Sequence, residues 1–419
     1  GIVWPWSALR VAPMSSIVTL SVIACWTLVF LGFRGKLRDA WCEPILRRPA
    51  LVIESEDWGP AGNAHALALQ EIAECLRAYS DREGRHPVMT LGIILATVDV
   101  EALVASADDT YHRVTLEHES VQPVREAMLD GVAGGVFALQ LHGLEHYRVA
   151  SLLAAAGTLP TVQEWLRSKP FPDTEALPSH LQSRWTDAST LPSRGLDTEE
   201  IERGVKDEMA LFESVFGERA RVYVPTTFVW PRQLEAELAR EGVEVMITPG
   251  FRCGRRAADG SPEATDEHYL NGDCRYVGML YLVRDIYFEP AMGHTAWQTI
   301  GKIRTNATLG RPSLLETHRN NFTRDKQQCA ASLNQLHQLL ADACRIPEMA
   351  FVSSLDLAHS YAGSGPIGIE TRFGPRISIA LRRLMTARRF YKLAWLTGLA
   401  FAIYPAMYIL GRPRPTAID

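Results

Sequence analysis

Several absences in the sequence exclude broad classes of protein. The seven cysteines are an odd number at irregular spacing, so they form neither a disulfide framework nor a CxxC zinc signature. Basic residues are not in excess, because the formal net charge is -5, and this argues against nucleic acid as a partner. There is no internal repeat and no low-complexity tract. The length of 419 residues predicts one large domain or two ordinary ones, and the 47% of hydrophobic residues can bury a sizeable core.

Charged residues are also missing from two stretches near the ends. Residues 11–33 are uncharged and long enough to cross a bilayer as a helix. Residues 393–411 form a second such run, in which Pro405 would kink a helix without forbidding a span. A signal peptide is the alternative for the first run, and a buried or re-entrant helix is the alternative for the second.

Basic residues flank the part of the chain between these runs. Residues 376–392 form a basic amphipathic segment that predicts contact with an anionic membrane surface. The positive-inside rule places the middle of the chain on the cytoplasmic side. The basic residues that carry this prediction are Arg34, Lys36, Arg38, Arg47 and Arg48 after the first run, and Arg382, Arg383, Arg388, Arg389 and Lys392 before the second.

Short apolar runs alternate with helix-like segments over residues 50–362. This alternation predicts a parallel sheet covered by helices, and seven to eight such units predict a distorted (β/α) barrel. Active-site residues of such barrels lie at the C-terminal ends of the strands. The predicted strands are Leu51–Ser55, Val88–Ala96, Val136–Leu141, Arg221–Val229, Val243–Thr248, Tyr276–Val283, Ser313–Thr317 and Ala350–Ser353.

Three of these strand ends carry titratable side chains. The first strand ends in Glu56 and Asp57, and adjacent acids repel each other unless a cation is near. The third runs into His142 and His146, whose spacing suits one divalent ion if the segment is helical. The seventh ends at His318, which suits a general acid. A polar loop, a chance histidine pair and a capped loop histidine are the respective structural alternatives.

Together these motifs resemble the polysaccharide deacetylase family, the NodB-like carbohydrate esterases. The resemblance implies a catalytic base at Glu56 and metal ligands at Asp57, His142 and His146. It also implies a general acid at His318. The remaining implied positions are a substrate groove lined by Trp58, Arg221, Pro225 and Trp230, and a pair, Arg284 and Asp285, that tunes the base and the histidine.

The sequence departs from the family pattern at three positions. Glu56 stands where an Asp is expected, Trp58 where a Gly is usual, and Gly143 where the histidine motif has Ser or Thr. The metal-binding triad is unaffected by these departures.

The resemblance implies a metal-dependent hydrolase that removes N-acetyl groups from an amino-sugar-containing glycan. Zinc is the first expectation for the metal, because it accepts mixed nitrogen and oxygen ligands. Trp58, Trp230 and Tyr147 are candidate surfaces for sugar rings. The expected partners are a glycan and membrane lipid, at a bacterial inner membrane. The flanking charges favour the cytoplasmic side, whereas the resemblance implies work outside the cytoplasm, so the side of the membrane stays open. The alternatives are an inactive glycan-binding relative, or a glycoside hydrolase that uses paired carboxylates such as Glu56 and Glu316.

Overall fold

A computed structural model of the protein describes residues 14–105, 110–274 and 276–411. The chain divides into two compact units. Residues 46–369 form a central unit, and residues 1–45 together with 370–419 form an end unit. Residues 11–13, the start of the first predicted membrane run, lie outside the described residues.

The strands belong to the central unit. They are β1 (Ala50–Trp58), β2 (Met89–Ile94), β3 (Ala96–Val98), β4 (Arg113–Thr115), β5 (Phe137–Gly143), β6 (Val222–Tyr223), β7 (Val245–Thr248), β8 (Phe251–Arg256), β9 (Pro262–His268), β10 (Leu280–Val283), β11 (Ile286–Tyr287), β12 (Ser313–His318) and β13 (Ala350–Phe351). Two antiparallel pairs, β3 with β4 and β8 with β9, lie outside the main sheet.

Helices connect these strands and also build the end unit. They are α1 (Met14–Gly32), α2 (Arg34–Cys42), α3 (Asn63–Arg77), α4 (Val100–Ala105), α5 (Gln122–Ala133), α6 (Val149–Ala156), α7 (Pro160–Trp165), α8 (Thr198–Phe216), α9 (Arg232–Arg240), α10 (Ala296–Thr308), α11 (Asn320–Thr323), α12 (Lys326–Ala343), α13 (Ser354–Tyr361), α14 (Phe373–Met385), α15 (Arg388–Leu396) and α16 (Ala400–Leu410).

Nine strands of the described residues form one parallel sheet. Its order is β10-β7-β6-β5-β2-β1-β12-β11, and β13 also pairs with β1. The two edge strands are consecutive in the chain and are separated only by Arg284 and Asp285. The Arg284 amide donates to Thr248 of β7 over 2.9 Å, and the Asp285 amide to Leu314 of β12 over 3.5 Å. The sheet is therefore curled, and the predicted parallel α/β arrangement is confirmed.

The core of the central unit lies between this sheet and its helices. Every residue of β1 is buried, as expected for a parallel strand covered on both faces. The apolar face of α3 carries Leu69, Ile72 and Leu76 at helical spacing, and these side chains are buried in the core. Burying each such side chain contributes roughly 1.5–3 kcal/mol to folding. This packing fixes the strand ends that carry the titratable residues.

The end unit has an apolar core of its own, in which Val29 of α1 and Phe390 of α15 are buried. In the described residues no single helix is long and apolar enough to span a membrane. Two bent pairs reach that length and character together: Val18–Gly32 with Arg34–Cys42, bent by 67°, and Arg388–Leu396 with Ala400–Leu410, bent by 111°. The second apolar run, predicted as one span, is thus divided between α15 and α16.

Candidate metal centre and active site

A bulge at the end of β1 brings two consecutive carboxylates to the same side. In a regular strand Glu56 and Asp57 would point to opposite faces. The pairing of β1 with β2 shifts register between Ser55 and Trp58, and Asp57 has a φ of +70°. Such a bulge re-aims side chains, and Asp tolerates this left-handed conformation better than most residues. Asp57 Oδ1 and Glu56 Oε2 therefore both approach His142 Nε2, at 3.5 and 3.8 Å.

The histidine pair is assembled by a turn and not by a helix. His142 lies in β5, and His146 lies in the bend that follows. Gly143 between them has a φ of +127°, and a Cβ there would lie 3.1 Å from the Glu145 carbonyl oxygen. This conformation favours glycine where the family motif has Ser or Thr. The segment is not helical, so the condition stated for the i,i+4 spacing is not met, although both histidines reach the site.

Asp57, His142 and His146 form a buried triad. Asp57 Oδ1 is 3.5 Å from His142 Nε2 and 3.2 Å from His146 Nε2. One ligand atom from each residue lies within 4.8 Å of the others. His142 Nδ1 donates to the Val224 carbonyl over 2.8 Å, which leaves Nε2 free to bind a cation. Asp57 Oδ1 is buried without a hydrogen-bond partner among the described residues, a costly state that a cation would relieve. The triad could therefore bind a metal ion.

The protonation states of Asp57 and His146 suit metal binding, whereas Glu56 and Asp57 raise the pKa of His142 in spite of its burial. Burial lowers the pKa of His146 to about 4, against the opposing charge of Asp57, so the imidazole is neutral near pH 7. Burial opposes ionisation of Asp57, but His146 and His142 outweigh it and lower the pKa of its carboxyl. A neutral imidazole and an ionised carboxylate are the forms that bind divalent ions.

Arg284 lies where the two sheet edges meet and contacts three buried carboxylates. Its Nε donates to Glu54 Oε2 over 2.8 Å. Its Nη2 lies 2.7 Å from Glu56 Oε1, and this contact is an ion pair without hydrogen-bond geometry. Its Nη1 lies 3.4 Å from Glu316 Oε2. The strand register explains this grouping, because Glu54 is paired with Glu316, and Glu56 with His318, across β1 and β12.

These contacts separate the pKa values of two neighbouring acids. Burial would raise the pKa of Glu56, but Arg284, His142 and His318 lower it to about 2. Burial raises the pKa of Glu316 to about 7 in spite of Arg284, and the charge of Glu56 contributes to the increase. At neutral pH Glu56 is ionised, which is the state that a proton acceptor needs.

His318 is held by a carboxylate that the sequence did not reveal as a site residue. Its Nδ1 donates to Glu289 Oε1 over 2.7 Å, and Asn321 Nδ2 donates to Glu289 Oε2 over 2.5 Å. The free Nε2 lies 3.7 Å from Glu56 Oε2. Burial opposes protonation, but the hydrogen bond to Glu289 and the charges of Asp57 and Glu56 raise the pKa of His318 to about 10. The imidazole is therefore a proton donor next to an ionised carboxylate.

Two predicted site residues lie away from this cluster. Arg221 precedes β6, at the opposite end of the strand from the site, and is exposed where it pairs with Glu244. Asp285 accepts from the Asn306 side chain and from the Leu314 amide, so Glu289 and not Asp285 is the partner of His318.

The predicted aromatic surfaces are buried. The Trp58 indole donates to Ser55 Oγ over 2.9 Å, and the Trp230 indole to Glu235 Oε1 over 2.8 Å. Tyr147 is buried too, and its hydroxyl accepts from the Val98 amide. Pro225 is buried directly after Val224. As placed, these aromatic side chains pack inside the protein and expose no face for a sugar ring.

Tyr287 offers an exposed aromatic surface that the sequence did not single out. It is paired with Glu316 in the register of β11 and β12, and 51% of its surface is exposed. Residues paired in this way present their side chains on the same face. Tyr287 is thus placed at the rim of the site. The strand predicted from the sequence ends at Val283. Had it been extended, its C-terminal end would have pointed to Tyr287 and Glu289 as candidate site residues.

Comparison with known proteins gives structural similarity at low sequence identity. No family model and no curated protein matches the sequence. A Mycobacterium smegmatis protein described as a polysaccharide deacetylase is similar over 80% of this chain and 96% of its own, with 12% identity and a TM-score of 0.39. A family 4 carbohydrate esterase from Streptomyces lividans is similar over 71% and 91%, with 10% identity and a TM-score of 0.31.

The structural neighbours also include another kind of carbohydrate-active protein. A 4-alpha-glucanotransferase from Thermococcus litoralis is similar over 85% of this chain and 48% of its own, with 7% identity and a TM-score of 0.40. The family that the motifs resemble is thus represented among the neighbours, although it is not alone there.

Proposed function

We propose that this protein is a metal-dependent hydrolase that removes N-acetyl groups from an amino-sugar-containing glycan. The observation that supports this most directly is the buried Asp57–His142–His146 triad, whose carboxylate oxygen lacks a hydrogen-bond partner among the described residues. An ionised carboxylate, Glu56, and a protonated imidazole, His318, adjoin the triad. Amide hydrolysis needs a proton acceptor and a proton donor of this kind.

A divalent ion held by the triad would supply Lewis-acid activation of water and of the amide carbonyl. Zinc suits one carboxylate and two imidazoles with positions left open. The side chains divide the proton transfers. Glu56 accepts a proton from the attacking water as the new carbon–oxygen bond forms. His318 donates its Nε2 proton to the amine nitrogen as the carbon–nitrogen bond breaks, which leaves acetate and a free amine.

The proposal is tested with the full chain by metal analysis and an acetate-release assay. We expect about one divalent ion per chain, and release of acetate from N-acetylglucosamine oligomers that stops with a chelator and resumes with added metal. Binding of these oligomers without acetate release would indicate an inactive glycan-binding relative. A chain that binds no metal would overturn the proposal.

One observation favours a second candidate function, glycoside hydrolysis. The carboxylates of Glu56 and Glu316 lie within 4.8 Å of each other, close to the roughly 5 Å of retaining glycosidases. This function would leave the triad and the unpartnered oxygen of Asp57 without a role. It predicts release of reducing sugars that a chelator does not affect, so the same assay separates the two functions.

Glu289 is expected to control the pH dependence of the reaction. Its carboxylate raises the pKa of His318, which must be protonated to act as the donor. In Glu289→Gln that pKa falls, so the alkaline limb of the kcat/KM profile should move to lower pH. The pH profile of acetate release measures this shift. Glu263→Gln, an exposed position paired with Arg255, is the control and should leave the limb in place. An unmoved limb in Glu289→Gln would remove Glu289 from this role.

Tyr287 is expected to contribute to substrate binding. A ring at the rim of the site can stack on a sugar ring, an interaction of about 1 kcal/mol. Tyr287→Ala should therefore raise KM about fivefold, while kcat changes by less than about twofold. Tyr287→Phe keeps the ring and should retain the parent KM. Steady-state kinetics of the three proteins gives the answer, and an equal KM for all would exclude stacking at this position.

A further inference from the structure

In the end unit, the exposed basic side chains and the exposed apolar side chains lie in separate regions along the helices. The start of α15 lies beside the junction of α1 and α2, because the Phe390 and Phe33 rings pack edge to face with centroids 5.3 Å apart. Exposed basic residues cluster around this contact. They are Arg34, Lys36 and Arg38 on α2, and Arg388, Arg389 and Lys392 on α15.

Beyond this basic region, the exposed surface of α15 and α16 is apolar. Leu396 is 82% exposed and Phe401 is 73% exposed, and Ile409 is also exposed. The opposite face of α16 is apolar too, since Ala400, Ile403 and Met407 are buried in the core of the unit. A helix that is apolar on all sides requires a nonpolar environment around its outer face as well.

The depth of this apolar hairpin follows from its contact with α1. The Trp26 indole donates to the Thr397 carbonyl, in the turn between α15 and α16, over 2.9 Å. Trp26 lies roughly 9 Å of helix rise before the end of α1 at Gly32. That distance is less than the half-thickness of a bilayer core, about 15 Å. With the end of α1 at the membrane surface, the turn would therefore lie within one leaflet.

The second helix of the hairpin returns to the level of α14. Ser378 of α14 donates to the Met407 carbonyl over 2.7 Å, and the Leu410 carbonyl lies next to Gly374. With 11 residues, α16 is about 16 Å long, too short to cross a bilayer. The 111° bend between α15 and α16 agrees with a chain that turns back.

We infer that α15 and α16 form a re-entrant hairpin that inserts into one leaflet of an anionic membrane. The basic residues of α2 and α15 meet the lipid headgroups, and Leu396 and Phe401 contact the acyl chains. The apolar run 393–411 enters and leaves the membrane on the same side. This arrangement replaces the second span that the sequence predicted.

Cysteine labelling of the full chain tests the insertion. The exposed native cysteines are replaced, the protein is reconstituted into phosphatidylcholine and phosphatidylglycerol vesicles, and Leu396→Cys is treated with a membrane-impermeant maleimide. Trp297→Cys is the matched control, because Trp297 of the central unit is 81% exposed. Leu396→Cys should react at least tenfold more slowly than the control, with the rate recovering when the bilayer is dissolved. Equal rates in intact vesicles would overturn the proposal.

Two further experiments test what covers the hairpin and on which side of the membrane its two ends lie. Coupling of Leu396→Cys to a second copy by a bifunctional maleimide would show that protein covers the hairpin, against the proposal. Protease-sensitive tags inserted after Gly363 and appended after Asp419 should be cleaved from the same side of sealed vesicles. Cleavage from opposite sides would restore the second span and overturn the hairpin.

Discussion

Asp57→Asn is expected to abolish stoichiometric metal binding and to lower acetate release to background. The substitution removes the charge on the oxygen that lies 3.2 Å from His146 and 3.5 Å from His142. Replacing a residue that only orients a metal ligand costs 10–100-fold in affinity, so loss of a ligand charge should cost more than about 100-fold. The backbone should not change, because Asn also tolerates the φ of +70° found at this position.

Metal content after dialysis and thermal unfolding with and without metal measure this result. Added metal should raise the Tm of the parent protein and leave that of Asp57→Asn unchanged, because only the parent has a folded-state site. Asp130→Asn, at an exposed position of α5, is the matched control and should respond like the parent. A variant that binds metal as tightly as the parent would remove Asp57 from the ligand set.

Glu56→Gln is expected to keep the metal and to lose turnover. The amide has the shape of the carboxylate but cannot accept the proton from water, and removing a general base lowers kcat by about 10²–10⁴-fold. Glu54→Gln is the control, because Glu54 also pairs with Arg284 yet is farther from the triad. Both variants should lose some stability, since each leaves a buried arginine with one fewer partner.

Rapid-quench or steady-state measurements of acetate release, together with metal analysis, separate these effects. The expected pattern is a large loss of kcat in Glu56→Gln alone, with about one metal ion in both variants. Undiminished turnover in Glu56→Gln would exclude it as the base. A loss of the same size in Glu54→Gln would indicate that the ion pairs of Arg284, and not proton transfer, limit the reaction.

Periodicity predicted the central strands because buried parallel strands are continuous apolar runs. The predicted strand Leu51–Ser55 corresponds to β1, and Ser313–Thr317 corresponds to β12. The helix-like segment between the fourth and fifth predicted strands corresponds to α9, Arg232–Arg240. The polar pair β8 and β9 was missed, since neither strand has a continuous apolar face. Residues 221–229 give only a two-residue strand, because the chain turns after Tyr223.

The sequence predicted the site residues that stand at strand ends. It did not predict the features that depend on backbone conformation or on pairing between distant parts of the chain. Glu56, Asp57 and His142 stand at ends that the sequence marks. The bulge that turns Asp57 toward the histidines has no signal in the sequence. Glu289 was missed because the predicted strand stopped at Val283, where charged residues interrupt the apolar run. Only the fold shows that the first of them, Arg284, is buried among acids.

The position of Arg284 has a consequence for the order of folding. Its acidic partner Glu54 lies 230 residues earlier in the sequence, so this acid is synthesised long before the cation that compensates it. Buried carboxylates without a partner are costly. The first strand and the two edge strands of the curled sheet therefore gain their stability together, when β10 and β11 dock between β7 and β12. A chain arrested before that step has an open sheet and uncompensated acids at once.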